Sequence, residues 1–326
     1  YTYGTILVSV VAVNGGKGGT GKTFIAINIA VYLQSQGYKV LLVDSDVENP
    51  NTNILLGIQN IEKEIVDEVR SVYQFIPEFD EDKCTKCQKC SQVCRTHAIF
   101  QITDNYPVLM SAMCSGCELC YKICPDEAII AQKKEVGKIY YKKKAYSSPD
   151  SNGSLDIMVG VMNTGEVRAV KIIEAEFRFF TEELAHEEYD YIVLDQSPGA
   201  HCDVEFGLDN SDFAVSVTEP TPFGAHDLNR ILELGSILEK KSYIVLNRYN
   251  LADYEDEILK IISNNKAELI GRIPLDQNIL EAYAQGIPFL DYKKLPDGHS
   301  SKQQLRKIGE KVVALTGEKG DRNNDE

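Results

Sequence analysis

The stretch NGGKGGTGKT, residues 14–23, decides how the rest of the chain is interpreted. From Gly16 to Thr23 it fits G-x-x-x-x-G-K-[ST], the pattern of a phosphate-binding loop. An apolar run precedes the loop and a helix-period segment follows it, so backbone N–H groups and a helix N-terminus are expected to converge on phosphates. Lys22 is predicted to reach the β- and γ-phosphates, and the Thr23 hydroxyl to bind Mg²⁺. The other predicted nucleotide contacts in the loop are Gly16, Lys17, Gly18, Gly19, Thr20 and Gly21.

Short apolar runs alternate with helix-period segments along most of the chain, which predicts an α/β fold with a mostly parallel sheet covered by helices. The apolar runs are rich in Val, Ile and Leu without alternation, as expected for strands buried on both faces. The predicted strands are 6–13, 40–43, 191–194, 214–217, 243–246 and 269–272. The predicted helices are 23–36, 225–240, 254–263 and 301–315, and residues 137–165 are predicted as strand and loop.

Composition excludes some classes of partner. The chain has 34 Lys and Arg against 49 Asp and Glu, a net charge of −15, which argues against nucleic acid because that binding depends on basic side chains. No stretch approaches the ~18–20 apolar residues of a membrane span, and no membrane anchor or export signal is recognised. The nine cysteines then belong in a reducing compartment, so a cytoplasmic location is expected.

Eight cysteines lie in two similar stretches, CTKCQKCSQVC (84–94) and CSGCELCYKICP (114–125). Each cysteine of the first stretch recurs 30 residues later in the second, which indicates a duplicated half-domain. The spacing C-x₂-C-x₂-C-x₃-C is that of bacterial two-cluster ferredoxins, in which the fourth cysteine of each run binds the other cluster. Zinc, which also uses four cysteines, is the alternative, and Arg95 stands where the motif expects proline. The predicted ligands are Cys84, Cys87, Cys90 and Cys124 for one [4Fe–4S] cluster, and Cys94, Cys114, Cys117 and Cys120 for the other.

The cysteine-rich block interrupts the α/β pattern, which predicts an inserted domain. The expected divisions are a P-loop domain in two parts, 1–60 and 132–316, an α+β ferredoxin-like insert, 61–131, with its cysteine core at 84–125, and a polar tail, 317–326.

Two strand ends offer further oxygen ligands for Mg²⁺ at one edge of the sheet. Asp44 and Asp46 follow the apolar run in VLLVDSDVENPN, and Asp195 follows the run in YIVLDQSPG. Asp195 is the predicted Mg²⁺ partner, whereas capping of the next helix is an alternative for Asp44. Gly199 is predicted to let a backbone N–H approach the γ-phosphate.

The stretch VLNRYN, which ends a predicted strand at Asn247, bears on which nucleotide base is bound. A guanine reader of the N-K-x-D type needs aspartate at position 250, where this chain has Asn250. ATP is therefore the expected nucleotide, with Asn247 as a nucleotide-binding residue.

The loop GKGGTGKT carries the deviant signature of the MinD/ParA superfamily of P-loop ATPases, which includes septum-site and partition ATPases, Mrp-type iron–sulfur carriers and the nitrogenase iron protein. DSDVENPN resembles the switch I of that superfamily, and DQSPG resembles switch II except that Ser197 replaces a proline. VTEPTPFGAHDL (217–228) and GRIPLDQNILEAYAQGIP (271–288) are also similar to it. The resemblance covers most of the chain outside the cysteine-rich block.

The predicted catalytic residues are Lys17, Lys22 and Asp46. The loop motif gives the role of Lys22 stated above, and the resemblance implies the roles of Lys17 and Asp46. Lys17 is expected to reach the partner subunit's nucleotide across a two-fold interface, as an arginine finger does, so an ATP-dependent homodimer is implied. Asp46 is expected to position the attacking water and to contribute to the Mg²⁺ site with Thr23 and Asp195. A solvated loop lysine is the alternative for Lys17.

The chain is thus expected to be a dimeric ATPase that binds ATP, Mg²⁺ and two [4Fe–4S] clusters and couples its nucleotide state to electron transfer. Its redox or apo-acceptor protein partner is unknown. One alternative is an iron–sulfur carrier or assembly ATPase of the Mrp type. Another is a partition or positioning ATPase with structural clusters. Cys202, just after switch II, is either an inert thiol or a ligand of an inter-subunit cluster.

Overall fold

The computed structural model of the chain describes residues 8–64, 67–148 and 151–322. The strands are β1 (Ser9–Asn14), β2 (Lys39–Ser45), β3 (Glu68–Phe79), β4 (Ile99–Phe100), β5 (Val108–Leu109), β6 (Ile129–Tyr146), β7 (Ser154–Met162), β8 (Tyr191–Gln196), β9 (Phe213–Thr218), β10 (Ser242–Asn247) and β11 (Glu268–Ile273). The α-helices are α1 (Lys22–Ser35), α2 (Thr52–Leu55), α3 (Ile61–Glu64), α4 (Lys89–Val93), α5 (Leu119–Ile123), α6 (Ala169–Arg178), α7 (Cys202–Asp209), α8 (Pro222–Ile237), α9 (Glu255–Asn264), α10 (Gln277–Ala284) and α11 (Ser300–Arg322). Short 3₁₀ turns lie at Ser111–Met113, Ala185–Glu187 and Phe289–Asp291, and a π turn lies at Phe179–Glu183.

One large sheet runs through the molecule in the order β11-β10-β9-β1-β8-β2-β7-β6-β3. From β11 to β7 every neighbouring pair is parallel, whereas β6 runs antiparallel to both β7 and β3. A separate antiparallel pair is formed by β4 and β5. The predicted α/β fold with a mostly parallel sheet is confirmed.

The central strands are buried on both faces, which explains why their sequences do not alternate. In β2, Val40 and Leu42 pack into the core with α1 and α11, while Leu41 and Val43 pack on the opposite face with α6. Because successive strand residues point to opposite faces, a strand covered by helices on both sides needs apolar residues at every position.

The cysteine-rich segment is attached to the main sheet by a long antiparallel ribbon. β3 and β6 pair from Glu68↔Tyr141 to Phe79↔Ile129, and β6 also pairs with β7, so the ribbon belongs to the main sheet. The predicted insert boundaries at 61 and 131 fall at the first residue of α3 and inside β6. The segment between the two strands, with all eight clustered cysteines, therefore extends from the end of this ribbon.

Six predicted strands and four predicted helices appear near their expected positions, although residues 6 and 7 lie outside the described residues. The pattern missed α6, and β7 falls within a segment predicted only as strand and loop. α11 continues to Arg322, beyond the predicted helix end at 315 and into the predicted polar tail. Over the described ranges, no helix combines the length and apolar character needed to cross a membrane.

Candidate functional site

The phosphate loop connects β1 to α1 and depends on glycine at two left-handed positions. Gly19 and Gly21 have φ angles of +82° and +98°. A Cβ on Gly21 would lie 2.3 Å from the Asn247 Nδ2 atom, so no larger residue fits there. Asn247 donates from Nδ2 to the Thr20 carbonyl at 2.7 Å, and its Oδ1 accepts the Arg248 N–H at 3.0 Å. Asn247 therefore supports the loop with both the Nδ2 and the Oδ1 atom of its side-chain amide. It also lines a cavity above the loop, which is described below.

Lys22 lies under the loop with two aspartates nearby. Its side chain is 7% exposed, and its Nζ donates to the Lys17 carbonyl at 3.3 Å. Burial lowers the pKa of Lys22, while Asp195 and Asp46 oppose that shift. The loop thus presents a lysine with acidic neighbours at the point where sequence predicts phosphate and Mg²⁺.

Asp195, at the end of β8, fits the predicted metal site. Its Oδ2 accepts the Thr52 hydroxyl at 3.0 Å, whereas the buried Oδ1 has no hydrogen-bond partner among the described residues. Burial raises the pKa of Asp195, and the neighbouring Thr23 hydroxyl and Lys22 favour its charged form. An unpaired carboxylate oxygen beside a threonine hydroxyl suits a hydrated Mg²⁺ ion.

Asp44 has a structural position, as its helix-capping alternative anticipated. Its Oδ2 accepts the backbone N–H groups of Asn51 and Thr52, both at 2.9 Å, and its Oδ1 accepts that of Asp46 at 3.2 Å. Burial, followed by the nearby Asp195 carboxylate, raises the pKa of Asp44. Asp44 consequently fixes the loop that carries Asp46 and starts α2.

A cavity of about 440 Å³ opens above the phosphate loop. Asp46, half-buried, faces this cavity, and burial raises the pKa of its carboxyl while Lys22 opposes the shift. The remaining walls come from the phosphate loop, the loop after β10 and the segment around α10; they include Gly18, Gly19, Thr23, Asn51, Arg248, Pro274, Asp276 and Tyr283. Of the predicted site residues, the cavity lining includes Gly18, Gly19, Gly21, Lys22, Thr23, Asp46 and Asn247, but not Gly16, Lys17, Thr20, Asp195 or Gly199.

The loop after β8 contacts the phosphate loop directly. Gly199, with φ +103°, donates its N–H to the Gly15 carbonyl at 3.1 Å. The N–H predicted to approach a γ-phosphate is thus bonded within the protein in this conformation. Ser197, which replaces the expected proline, donates its hydroxyl to Asp203 in the first turn of α7.

Lys17 makes a contact that the sequence did not predict. Its Nζ lies 2.6 Å from Glu219 Oε1, and the Glu219 side chain is only 7% exposed. Arg248 Nη1 lies 3.3 Å from Glu219 Oε2 and also donates to the Gly19 carbonyl at 3.0 Å. One buried carboxylate is therefore shared by two cations at the phosphate loop. Glu219 and Arg248 lie far from Lys17 in sequence; they fall within the stretches VTEPTPFGAHDL and VLNRYN, but neither stretch predicted a contact with Lys17.

The two cysteine stretches repeat each other in backbone conformation as well as in sequence. Left-handed residues occur at Lys86, Gln88 and His97 in the first stretch and at Gly116, Glu118 and Glu127 in the second, each pair 30 residues apart. Helices α4 and α5 are related by the same offset. Cys94 has φ −71° and ψ 100°, close to the φ −69° and ψ 113° of Cys124, which precedes proline. Arg95 therefore leaves the conformation of the fourth cysteine unchanged.

Four cysteines surround one small cavity: Cys84, Cys87 and Cys90 from the first stretch and Cys124 from the second. Phe79, Pro107 and Ile129 close its apolar side. Cys94, Cys120 and Ile99 belong to the apolar cluster that joins the two stretches.

Burial raises the pKa of the Cys90 thiol and of the Cys120 thiol to about 11, and each has two further cysteines of its own stretch nearby. Across the described ranges, no three His, Cys, Asp or Glu side chains converge as the ligands of one metal ion.

Two side chains of the main sheet and its helices hold the second cysteine stretch in place. The buried Gln74 on β3 donates from Nε2 to the Cys114 carbonyl at 2.8 Å. Arg168, which precedes α6, donates to the carbonyls of Ser111 and Cys114 and forms an ion pair with Glu166. These contacts fix residues 111–114, at the start of the second stretch, relative to β3 and α6.

Replacing Arg168 by lysine is expected to loosen this attachment, because an ammonium cannot reproduce the forked donation to two carbonyls. Amide hydrogen exchange in residues 111–117 should accelerate about tenfold, and the equivalent residues 81–87 should remain unchanged as an internal reference. Arg178→Lys, an exposed position on the same helix, is the matched control. Equal acceleration in both stretches, or none in either, would contradict the role of Arg168.

Helix α6 also reaches the nucleotide site. Glu176 on α6 is fully buried and accepts the Ser45 hydroxyl at 2.9 Å, and Ser45 lies between Asp44 and Asp46. Phe177 packs edge-on against Phe206 of α7, with ring centroids 5.3 Å apart. One helix therefore contacts the last residue of β2, the helix after β8 and, through Arg168 at its start, the second cysteine stretch.

Cys202, the ninth cysteine, is exposed at the first position of α7. It lies apart from the other eight in sequence, next to the loop that contains Gly199.

Comparisons with known proteins show the family and the fold of the chain. The chain matches the CobQ/CobB/MinD/ParA nucleotide binding domain over residues 11–289. It is 35% identical over 287 residues to an uncharacterized protein of Methanocaldococcus jannaschii, a match that covers 88% of this chain and 93% of the relative. A 63-residue segment is 43% identical to the iron-sulfur cluster carrier protein of Aquifex aeolicus, covering 19% of this chain and 17% of the carrier.

Among solved structures, the septum site-determining protein MinD of Pyrococcus horikoshii, complexed with Mg-ADP, is similar to this chain with a TM-score of 0.56 at 20% identity. The similarity covers 95% of this chain and 98% of MinD, and it shows a shared fold. The domain match and the long relative establish the relationship: the chain belongs to the CobQ/CobB/MinD/ParA family of nucleotide-binding proteins.

Proposed function

We propose that the chain is an ATP-dependent homodimeric ATPase that couples its nucleotide state to electron transfer through two [4Fe–4S] clusters. ATP is the substrate, and an as yet unidentified redox protein is the electron-transfer partner. The observation that carries the proposal is the cavity surrounded by Cys84, Cys87, Cys90 and Cys124, because its fourth cysteine comes from the other stretch.

The nucleotide half of the proposal assigns roles to residues around the larger cavity. Lys22 and the loop N–H groups bind the phosphates, while Thr23 and Asp195 hold Mg²⁺, directly or through water. Asp46 faces the same cavity and orients the attacking water. Lys17 stabilises charge on the partner subunit's nucleotide, because a fixed cation is most effective where negative charge develops. The unpaired Oδ1 of Asp195 supports the metal assignment.

The redox half assigns the eight clustered cysteines to two crossed sets. Cys84, Cys87, Cys90 and Cys124 would hold one cluster, and Cys94, Cys114, Cys117 and Cys120 the other. When bound, such clusters supply one-electron transfer. In a cube each thiolate binds a different iron, so four cysteines complete the coordination of one cluster. Cys87 and Cys117 are the exposed members of their stretches, which supports access for a partner.

Coupling between the two halves is supported by α6. Its Glu176 contacts Ser45 beside Asp46, and Arg168 at its start binds the second cysteine stretch. A shift of the loop after β2 on ATP binding would therefore act on the helix that holds residues 111–114. This gives a physical connection whose two ends lie at the nucleotide and at the cysteines.

The proposal predicts two interacting iron–sulfur signals that respond to ATP. The chain should be purified without oxygen, reduced, and examined by electron paramagnetic resonance with and without Mg-ATP, using Mg-ADP as the matched control. We expect about eight irons per chain and a signal shape or reduction potential that changes with Mg-ATP. Zinc in place of iron would refute the redox half, and spectra identical in every nucleotide state would refute the coupling.

A carrier that passes a cluster to apo-proteins is the second candidate. The short match to an iron-sulfur cluster carrier and the exposed thiol of Cys202 favour it. It predicts a labile cluster whose retention depends on Cys202. Unchanged iron content and dimerisation in Cys202→Ala would remove that support.

A further inference from the structure

The contact between Lys17 and Glu219 is incompatible with the role proposed for Lys17, which is to stabilise charge on the partner subunit's nucleotide. A lysine that acts on the partner's nucleotide must point out of its own subunit. In this single chain its Nζ instead lies 2.6 Å from the Glu219 carboxylate, and its side chain is one-third exposed. The nearest aromatic ring is the exposed Phe223, with its centroid 6.0 Å from Nζ.

Glu219 is held firmly by its surroundings. It follows β9, its carbonyl accepts the Thr221 N–H at 2.8 Å, and its side chain is 7% exposed. The first turn of α8 packs so closely that a Cβ on Gly224 would lie 2.2 Å from the Glu219 carbonyl oxygen. The backbone of Glu219 is therefore fixed by contacts that do not involve Lys17.

Arg248 makes that departure feasible. It stays 3.3 Å from Glu219 and also bonds to the Gly19 carbonyl, so the buried carboxylate keeps one cationic partner without Lys17. A buried carboxylate that lost all of its partners would carry a large desolvation penalty. With two cations on one carboxylate, release of the one-third-exposed lysine carries a much smaller desolvation penalty.

We propose that Glu219 is a positioning residue that retains Lys17 within its own subunit and thereby sets the protein concentration at which ATP assembles the active dimer. The inference rests on the ATP-dependent dimer of the proposed function. A contact made only in the free subunit must be broken on association, so its free energy is subtracted from that of dimerisation. The partner's nucleotide phosphates then replace Glu219 as the counter-charge of Lys17.

The test measures ATP turnover per chain as a function of protein concentration, with the full chain prepared without oxygen. For Glu219→Gln, the protein concentration that gives half-maximal turnover is expected to be about fivefold lower than for wild type. Turnover at saturating protein concentration should stay within about twofold of the wild-type value. A residue that merely supports the fold would lower the saturating turnover without moving the midpoint downward. Glu233→Gln makes the same charge change at an exposed position of α8 and should behave as wild type.

Two further variants keep the test decisive. In a Lys17→Gln background, Glu219→Gln should no longer shift the midpoint of dimerisation, measured by light scattering with a non-hydrolysable ATP analogue. Should Glu219→Gln fail to fold, Glu219→Asp carries the test, since the shorter side chain weakens the contact and shifts the midpoint in the same direction. A midpoint that is unchanged or raised overturns the inference alone, provided that wild-type turnover rises with concentration. Wild-type turnover independent of concentration overturns the inference together with the proposed dimer.

Discussion

ATP turnover at saturating protein concentration is expected to fall about 10³-fold when Lys17 is replaced by alanine, the effect of removing a cation supplied in trans to developing phosphate charge. ATP binding should persist, because Lys22 and the loop N–H groups remain. Turnover is measured by phosphate release and binding by calorimetry. Lys260→Ala, an exposed position on α9, is the matched control and should leave both quantities unchanged.

A mixing experiment separates action within a subunit from action across the interface. Lys17→Ala and Asp46→Ala chains are each expected to be inactive. In a mixed dimer, the site that keeps Asp46 receives Lys17 from the other chain. Because half of the dimers in an equal mixture are mixed and each has one complete site, about a quarter of wild-type activity should return. If no activity returns although mixed dimers form, Lys17 acts within its own subunit and the proposed role is wrong.

Iron loss in two double-cysteine variants is the second large effect. If the ligand sets are crossed, Cys87→Ala with Cys124→Ala removes two ligands from one cluster and leaves the other with all four. That variant should retain about four irons and one unperturbed paramagnetic signal. Cys87→Ala with Cys94→Ala removes one ligand from each cluster, so no unperturbed signal should remain.

The opposite pattern would mean that each stretch holds its own cluster and that the crossed assignment is wrong. Cys202→Ala is the control and should retain about eight irons if that thiol is not a ligand. ATP binding by both double variants shows that the nucleotide-binding sheet is still folded, because the cysteine-rich segment lies beyond the ends of β3 and β6.

Local motifs made much of the site predictable. The loop at residues 14–23 contains its glycines, both lysines and its threonines within ten consecutive residues, so its phosphate-binding chemistry is recognisable without long-range contacts. The cysteine repeat is equally local, and its left-handed positions recur at the same 30-residue offset. Even Arg95 is compatible with the repeat, because Cys94 adopts the backbone conformation of Cys124 without a following proline.

The ribbon of β3 and β6 was harder to predict because its strands lack a regular pattern of buried and exposed positions. Its strands do not alternate polar and apolar residues regularly, β6 contains the polar runs QKKE (132–135) and KKK (142–144), and both strands flank a cysteine-rich block whose composition dominates the region. The sequence pattern therefore placed domain boundaries near residues 61 and 131. The strands of the ribbon extend the main sheet from the edge of β7.

The sequence alone determined the chemistry of this protein: a phosphate loop with a second lysine, acidic strand ends and two cysteine runs, each encoded within about a dozen neighbouring residues. Only the tertiary structure decided which distant side chains act on those groups. Glu219 lies in VTEPTPFGAHDL, a stretch already similar to the superfamily, but its contact with Lys17 arises only because the sheet brings β9 beside β1. Glu176 and Arg168 acquire their contacts in the same way, because pairings between distant segments depend on packing, for which a short stretch of sequence contains no signal.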